Sequence, residues 1–289
     1  MALPDEQLQH HRRAYARATA AKKLQTLLGL VVLGVCVYLA AWAGEVDLVR
    51  FWNNAHRFTT YIYQLIPTLR YDTFAADFAE WFWGWRYWLG KIGETLIIAY
   101  LGTVIGGIFG LLLCFFASAN VTPARWLQFV TRRFLEFCRT VPELVFALIF
   151  VIAFGLGAIP GVLALAIHTA GALGKLFSEV VENIDMKPVE GLQSTGANWV
   201  ETMRFAVVPQ VLSNFASYGL LRFEINVRAA AIMGFVGAGG IGQDLVASVR
   251  TFQYTDVSAI LVLIIVTVMI IDLLTERLRH RLIGRENNR

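Results

Sequence analysis

The residues of this chain that could do chemistry are ionisable groups inside, or at the start of, long apolar runs. They are Glu143, His168, Lys175, Glu179, Arg222 and Glu224. Burying charge in hydrocarbon is costly, so such residues are functional candidates by default. Lys175 and Glu179 stand four positions apart, so on a helix they can pair and neutralise each other. The spacing of the acids and histidines indicates neither a metal site nor a catalytic pair.

Four glycines between residues 237 and 242 form the second notable pattern. The string matches the GxGxxG pattern of dinucleotide sites, but no strand is predicted before it and no acid follows at the expected distance. The GxxxxGK[ST] phosphate loop does not occur in the sequence either. We therefore predict no nucleotide site here. The glycines indicate either a broken or re-entrant helix near a translocation path or simple close packing of helices.

Composition places the elements that carry these residues in a membrane. Hydrophobic residues make up 57% of the 289 residues, mean hydropathy is +0.57, and only 16% of residues are charged. A soluble chain of this length has too small a core to hide so much apolar surface, whereas lipid can cover it. The net charge of +4 comes from basic residues clustered at the termini, which indicates topology and not nucleic-acid binding.

Apolar runs predict six membrane spans, since about 20 helical residues cross about 30 Å of hydrocarbon. Residues 24–43, 95–119 and 257–274 each predict one span. The run 141–181 is too long for one span, so it predicts two helices with a short turn near Gly155 and Pro160. The fifth span is predicted at about 207–223. The glycine repeat at 102, 106 and 110 predicts a stripe against which another helix packs closely. The fold class is therefore an all-α integral membrane protein.

Basic residues between the runs predict the orientation of the spans. They cluster before the first run, after the last, and between the second and third. Six spans put these three segments on one side, so both termini are predicted to be cytoplasmic. Asp272, near the end of the sixth run, is expected to reach the interface. Residues 45–94 then lie outside. Their aromatic cluster indicates either an interfacial helix or belt at the headgroups, or a docking surface for an external partner.

The loop 182–206 should also be cytoplasmic, yet it has two basic residues against four acids. The positions of Gly196 and of the prolines at 188 and 209 are informative. Pro188 suits the first turn of a helix, Gly196 can end or turn a short helix, and Pro209 stands near the start of the fifth span. We therefore predict a short helix, a glycine break and a second helix entering the membrane, which together make a knob on the cytoplasmic face.

Three residues of this loop resemble the signature of ABC importer permeases, which reads Glu-Ala-Ala, three residues, Gly, nine residues, Ile, one residue, Leu-Pro. Glu190, Gly196 and Pro209 match its spacing. The departures are Gly191 and Leu192 for the alanines, Ala206 for Ile and Val208 for Leu. The resemblance implies a type I ABC importer permease architecture and a coupling helix that docks in a groove of a separate ATPase. The residues it assigns to this coupling are Glu190, Gly191, Gly196, Ala197, Trp199 and Pro209.

Shorter strings across residues 95–283 resemble the phosphonate-type permeases of that family. They lie around Arg139–Leu144, His168-Thr169, Gly174–Glu179, Glu224–Arg228 and Gly234–Gly242. The resemblance implies a small phosphorus oxyanion as the substrate: a phosphonate, or phosphite, hypophosphite or phosphate. The candidates for the path or gate are Arg139, Glu143, His168, Arg222, Glu224, Asn226, Arg228, Gly237, Gly239, Gly240 and Gly242. One hypothesis is that Arg222, Arg228 and the amides of residues 237–242 ease an anion along the path.

The resemblance also implies partners. They are two copies of an ABC ATPase, which hold ATP and Mg, a periplasmic or lipid-anchored substrate-binding protein, and a second permease copy that makes a homodimer. The chain itself is predicted to have no catalytic residue, metal or cofactor, to contact lipid and no nucleic acid, and to lie in the bacterial cytoplasmic (inner) membrane. Three segments are predicted: 1–94, the permease core 95–283 with its coupling loop 185–209, and the polar tail 284–289.

Two alternatives stay open at this point. One is an ABC importer permease for another small solute. The other is an ion-coupled secondary transporter, which would be expected to show paired carboxylates near the midplane and internal repeats, neither of which is evident. A membrane-embedded enzyme would need a nucleophile with its base or a ligand cluster such as HExxH, and the sequence contains neither.

Overall fold

The computed structural model describes residues 5–284, and every regular element in this range is helical. The helices are α1 (Asp5–Ala43), α2 (Leu48–Leu65), α3 (Phe74–Trp81), α4 (Trp85–Ala117), α5 (Arg125–Thr140), α6 (Glu143–Phe154), α7 (Ala158–Glu182), α8 (Lys187–Ser194), α9 (Trp199–Thr202), α10 (Val208–Met233), α11 (Ile241–Arg250) and α12 (Tyr254–Gly284). A π-helical stretch, Met203–Val207, leads from α9 into α10, and a 3₁₀ turn, Gly234–Val236, follows α10. The chain forms two compact units, which divide between Tyr63 and Gln64.

Four helical segments in the described range are long and apolar enough to cross a membrane. They are Thr19–Ala43, Trp85–Ala117, Ala158–Glu182 and Tyr254–Arg281. Two bent pairs also qualify, each taken as one broken span: α5 with α6, bent by 84°, and Trp199–Val236 with α11, bent by 45°. The prediction of an all-α membrane protein with about six spans is confirmed.

The third span differs from the prediction. Helix α6 has 12 residues, which cover about 18 Å and cannot cross the hydrocarbon alone. Residues 125–140, predicted as part of a loop, form the helix α5, which meets α6 at 84° as a broken span or a re-entrant loop. The bend falls at Pro142, which lacks an N–H and forces the preceding residue out of helical geometry. Val141 accordingly has extended dihedral angles, φ −72° and ψ 122°.

The fifth span is longer than the predicted 207–223, since α10 runs for 26 residues to Met233. Hydropathy falls at Arg222 and Glu224, but the helix continues because Arg222 has a partner on α7, Thr169, and Glu224 pairs with Arg228 one turn later on α10 itself. The second span likewise begins at Trp85, ten residues before the predicted start. There Lys91 and Glu94 pair at 2.9 Å on one helical face.

The glycine stripe of α4 packs against α7, as predicted. A Cβ atom placed on Gly106 would lie 2.5 Å from the Ala166 carbonyl oxygen and 2.6 Å from Thr169 Cβ, so only glycine permits this approach. Gly102 meets Leu165 in the same way, one turn earlier. Packing of small residues is the main source of helix association in lipid. The stripe therefore fixes α7, which carries several of the candidate site residues.

Two tryptophans of the aromatic segment attach it to α12. Trp81 Nε1 donates to Ser258 Oγ at 3.0 Å, and Trp83 Nε1 donates to Asp256 Oδ1 at 3.1 Å. Trp88 is buried, at 4% exposure, among the residues between α4 and α12. This part of the aromatic cluster is therefore structural packing.

Candidate translocation path and coupling surface

A polar contact joins three helices in the interior of the bundle. Asn226 of α10 is fully buried, and its Nδ2 donates to Thr103 Oγ1 of α4 at 2.8 Å and to Thr169 Oγ1 of α7 at 2.9 Å. Its Oδ1 is buried and has no hydrogen-bond partner within the described residues. Buried polar groups in a membrane bundle hold helices in register and mark functional sites. Thr103 was missed by sequence reasoning because a threonine in an apolar run gives no signal of its own.

Ionisable groups extend this contact toward α6. Arg222 of α10 donates from Nε to Thr169 Oγ1 at 3.4 Å, a long contact. His168 Nε2 lies 3.7 Å from Glu143 Oε2, and its Nδ1 lies 3.1 Å from the Val141 carbonyl oxygen. A carbonyl only accepts, so Nδ1 carries the proton. Arg222 interacts electrostatically with both His168 and Glu143. The structure thus brings together Glu143, His168, Arg222 and Asn226, four of the predicted path residues.

Arg228 forms a separate cluster of ion pairs. Its guanidinium lies 2.6 Å from Glu224 Oε1 and 3.1 Å from Asp272 Oδ2. Asp272 was expected to reach the interface, and the structure shows in addition that its carboxylate binds Arg228 while α12 continues for twelve residues beyond it. With two carboxylates around one cation, Arg228 is committed to holding α10 against α12. The hypothesis that it eases an anion is not supported by this geometry.

The remaining charged candidates lie apart from the polar contact. Arg139 is exposed in the last turn of α5. Lys175 and Glu179 pair at 3.1 Å along one face of α7, as the sequence predicted.

The glycine segment is a real break between α10 and α11. Gly237, Gly239 and Gly240 have φ of +82°, +85° and +76°, in the region that glycine tolerates. The Gly240 N–H donates to Glu94 Oε1 at 3.2 Å, and the Ile241 N–H donates to Thr95 Oγ1 at 2.9 Å. Two side chains of α4 therefore cap the N-terminus of α11.

That capping corrects the anion hypothesis for these amides. The N–H groups of Gly237, Ala238 and Gln243 also have backbone acceptors, so most donors of the segment are already satisfied. Gly239 and Gly242 are buried, and a Cβ on Gly242 would collide with the Ala231 carbonyl oxygen. The segment packs and caps helices, and an anion would find few of its amides available.

The loop 182–206 has the predicted helix, break and second helix. Pro188 stands in the first turn of α8, Val189 is buried at 1% exposure, and Glu190 and Gly191 face outward. Gly196 has φ +89° and is exposed. Val189 thus fixes α8 to the protein while the opposite face stays accessible.

The remaining coupling candidates hold the second helix in place. Trp199 stacks on Phe116 with ring centroids 5.3 Å apart, and its Nε1 donates to the Val121 carbonyl oxygen at 2.8 Å. It therefore faces inward and anchors α9 to the end of α4. Ala197 is half-buried, and Pro209 is exposed in the first turn of α10.

Sequence reasoning missed the side chains that lock the knob. Asn198 and Glu201 form a reciprocal capping box at the start of α9, at 2.9 and 2.8 Å. The Asn-x-x-Glu spacing is a recognisable signal for it. Gln210 accepts from the Asp185 N–H and donates to the Asp185 carbonyl oxygen, both at 3.1 Å. Nothing in the local sequence pattern indicates this pair of hydrogen bonds between residues 25 positions apart.

Sequence reasoning also missed Glu182, at the end of α7. It accepts from the Ala119 N–H at 2.7 Å and forms an ion pair with Arg132 of α5, whose Nε donates to the Ala117 carbonyl oxygen at 2.8 Å. The ends of α4 and α7 and the middle of α5 are therefore joined here.

A helical bundle with a broken last-but-one span, a polar interior and an outward knob defines a membrane transport subunit. The chain belongs to the family of binding-protein-dependent transport system inner membrane components, whose model matches residues 110–285. It is 38% identical to the phosphite transport system permease protein PtxC of Stutzerimonas stutzeri, over 96% of each chain. It is 41% identical to the phosphate-import permease protein PhnE of Mycolicibacterium smegmatis, over 66% of this chain and 36% of that protein.

A solved structure shares the fold. The inward-facing MetNI methionine ABC transporter matches with a TM-score of 0.58 at 19% identity, over 68% of this chain and 95% of that chain. At this identity the match shows the fold alone. The prediction of an ABC importer permease with type I architecture is confirmed.

Proposed function

We propose that this chain is the permease through which an importer carries a small phosphorus oxyanion, either phosphite, phosphate or a phosphonate. The observation that supports this best is the 38% identity to a phosphite permease along nearly the whole of both chains. The mycobacterial relative is named for phosphate, which is a tetrahedral phosphorus anion too. ATP and Mg belong to a separate ATPase, and delivery belongs to an external binding protein.

Within the chain, Arg222 is the cation best placed to favour an anion. Its hydrogen-bond partner is a neutral hydroxyl at 3.4 Å and the Glu143 carboxylate attracts it at longer range, whereas Arg228 forms direct ion pairs with two carboxylates. It also stands one turn from the buried Asn226, at the point where α4, α7 and α10 meet. A cation in a low-dielectric site attracts an anion more strongly than it would in water.

Uptake of labelled compounds tests this function. Cells expressing the permease with its ATPase and binding protein should take up phosphite, phosphate or methylphosphonate. Arg222→Gln should lower maximal uptake without changing affinity of the isolated binding protein, and Arg222→Lys should keep part of the rate. Transport of amino acids or metal ions, with none of the phosphorus anions carried, would overturn the proposal.

We also infer that the knob of α8 and α9 docks on the ATPase. The exposed face of α8 offers Glu190, an acid in the first helical turn that suits the helix dipole and a basic groove. The buried Val189 and the inward Trp199 hold this face rigid, which lowers the entropy cost of docking. Each chain carries one such knob, so a complex with two ATPases needs two permeases, here proposed to be identical.

The proposed topology puts the knob and both termini in the cytoplasm. Reporter fusions after Arg70 and after Asn288 should then score on opposite sides of the membrane. The same side for both would contradict it. Co-purification of two differently tagged copies of this chain from one complex tests the homodimer, and a second, different permease in the purified complex would refute it.

A further inference from the structure

Helix α2 is amphipathic and shows no buried residue along its whole length. At 100° per residue, most of its bulky apolar side chains share one face. That face carries Leu48, Phe51, Trp52, Ala55, Phe58 and Ile62. Leu48, Phe51, Trp52 and Phe58 are each about 70% or more exposed, at 73%, 69%, 77% and 70%. An apolar surface of this kind is not stable in water without a covering.

The connection from α1 fixes where this helix begins. The span Thr19–Ala43 ends at Ala43, and only four residues separate it from α2. The Val46 N–H donates to the Ala41 carbonyl oxygen at 2.9 Å around Glu45, which has φ +52°. Asp47 then caps α2 by accepting the Arg50 N–H at 2.8 Å. Four residues reach at most about 14 Å, so the tightly bonded turn starts α2 at the level where a membrane span ends.

The polar face of α2 carries charge that suits lipid headgroups. Arg50 and Arg57 lie there together with Asn53, Thr60 and Gln64. Arginine on the polar face and aromatic and aliphatic residues on the other are typical of helices that lie in the membrane interface. A surface for reversible docking of a soluble binding protein would face water between dockings, and this face is too apolar for that.

We propose that α2 lies in the plane of the membrane interface, with its apolar face in lipid and its arginines at the phosphates. The bound partner is the phospholipid surface at the end of span α1. The helix then holds the start of the segment 45–94 at headgroup level. Such a helix buries its apolar face about 5–10 Å into the boundary between headgroups and acyl chains.

Spin-label depth measurements test this proposal in the full chain with its ATPase, in liposomes of phosphatidylethanolamine and phosphatidylglycerol. The native Cys36, Cys114 and Cys138 are replaced, and single cysteines carry the label. Labels replacing Phe51, Ala55, Phe58 or Ile62 should lie about 5–10 Å below the phosphates and collide with oxygen. Labels replacing Asn53, Arg57, Thr60 or Gln64 should collide with a water-soluble nickel chelate.

A matched pair of charged substitutions extends the test. Phe58→Asp should move a label at position 62 toward water, whereas Thr60→Asp, which adds the same charge on the polar face, should leave its depth unchanged. Apolar-face labels that collide with nickel would refute the proposal. Labels shielded from both reagents would also refute it, because protein would then cover the face. Shielding that appears only on adding the binding protein would show a docking surface instead.

Discussion

Replacing Gly196 by alanine should weaken binding of the ATPase while leaving the membrane bundle intact. Gly196 has φ +89°, and a Cβ placed on it meets nothing within 4 Å, so the cost of a side chain is conformational and not steric. The left-handed region costs an ordinary L-residue about 1–2 kcal/mol. An exposed turn relieves this strain by changing conformation, so the cost appears as a loss of the docking geometry. At 1.4 kcal/mol per factor of ten, the dissociation constant should rise about 5- to 30-fold.

Two further variants test whether the effect comes from the left-handed backbone conformation of Gly196. Gly196→Asn should weaken docking less than alanine does, since asparagine tolerates the left-handed conformation. Gly90→Ala is the matched control. Gly90 lies within α4 and outside the knob, exposed and with no neighbour within 4 Å of its Cβ, and alanine is the better helix former there by about 1 kcal/mol. It should keep full affinity and uptake.

The assay is a titration of purified ATPase onto each permease variant in nanodiscs, together with uptake by whole cells. Glu190→Lys should weaken binding by about 10-fold or more, because a charge-assisted hydrogen bond typically contributes about 1.5–3 kcal/mol. Glu276→Lys, an equal charge change on the exposed part of α12, should have no such effect. If Gly196→Ala and Glu190→Lys both bind the ATPase as tightly as the parent and transport fully, the knob is not the coupling element.

Three other predictions concern the bundle and the segment 45–94. Gly240→Ala should destabilise the junction of α4 and α11, because the added Cβ would lie 2.5 Å from Thr95 Oγ1 and the backbone has φ +76°. Gly219→Ala should not, because a Cβ there has no neighbour within 4 Å. Equal melting temperatures of the two variants in detergent would contradict this prediction. Asn226→Ala should lower stability by about 1–2 kcal/mol through loss of its bonds to Thr103 and Thr169, while Asn214→Ala, at an exposed position, should change it little. The Arg70 N–H donates to Asp77 at 2.8 Å and lowers the pKa of that carboxyl. The contact should therefore stabilise the turn above the ordinary carboxyl pKa of about 3.9 and be lost as pH falls through the lower folded value. The Arg70 amide shift in ¹⁵N-arginine NMR reports this, and an unchanged pH profile in Asp77→Asn would refute the assignment.

The parts of this protein that the sequence predicts well are those set by local pattern. The glycine stripe of α4, the pair of Lys175 and Glu179, and the break at Gly196 each depend on spacing along one helix or turn. The spans that contain polar residues were predicted too short. A hydropathy scale scores Arg222 and Lys91 as unfavourable in a membrane span, whereas in the fold each has a polar partner that offsets the cost of its burial.

Contacts between distant segments could not be predicted in the same way. Nothing near Gly240 shows that Glu94 and Thr95, about 145 positions earlier in the chain, will satisfy its segment's amides. The anion hypothesis for these amides therefore rested on a local property that tertiary contacts cancel. Asp272 is a similar case, because its role depends on Arg228 of another helix.

The proposed coupling has a direct physical route from the knob to the polar interior. Helix α9, the π-helical stretch and α10 form one unbroken helical path from Trp199 to Met233. Asn226 lies 18 residues beyond Val208 on this path, about 27 Å along the axis. Helices transmit displacement as stiff elements, and a π-helical stretch is a place where their register can change. Gln210 hydrogen-bonds Asp185 on the other side of the knob and so ties the loop before α8 to the start of α10. The proposed coupling therefore predicts that movement of the knob on an ATPase is passed along α10 to the contact of Asn226 with Thr103 and Thr169.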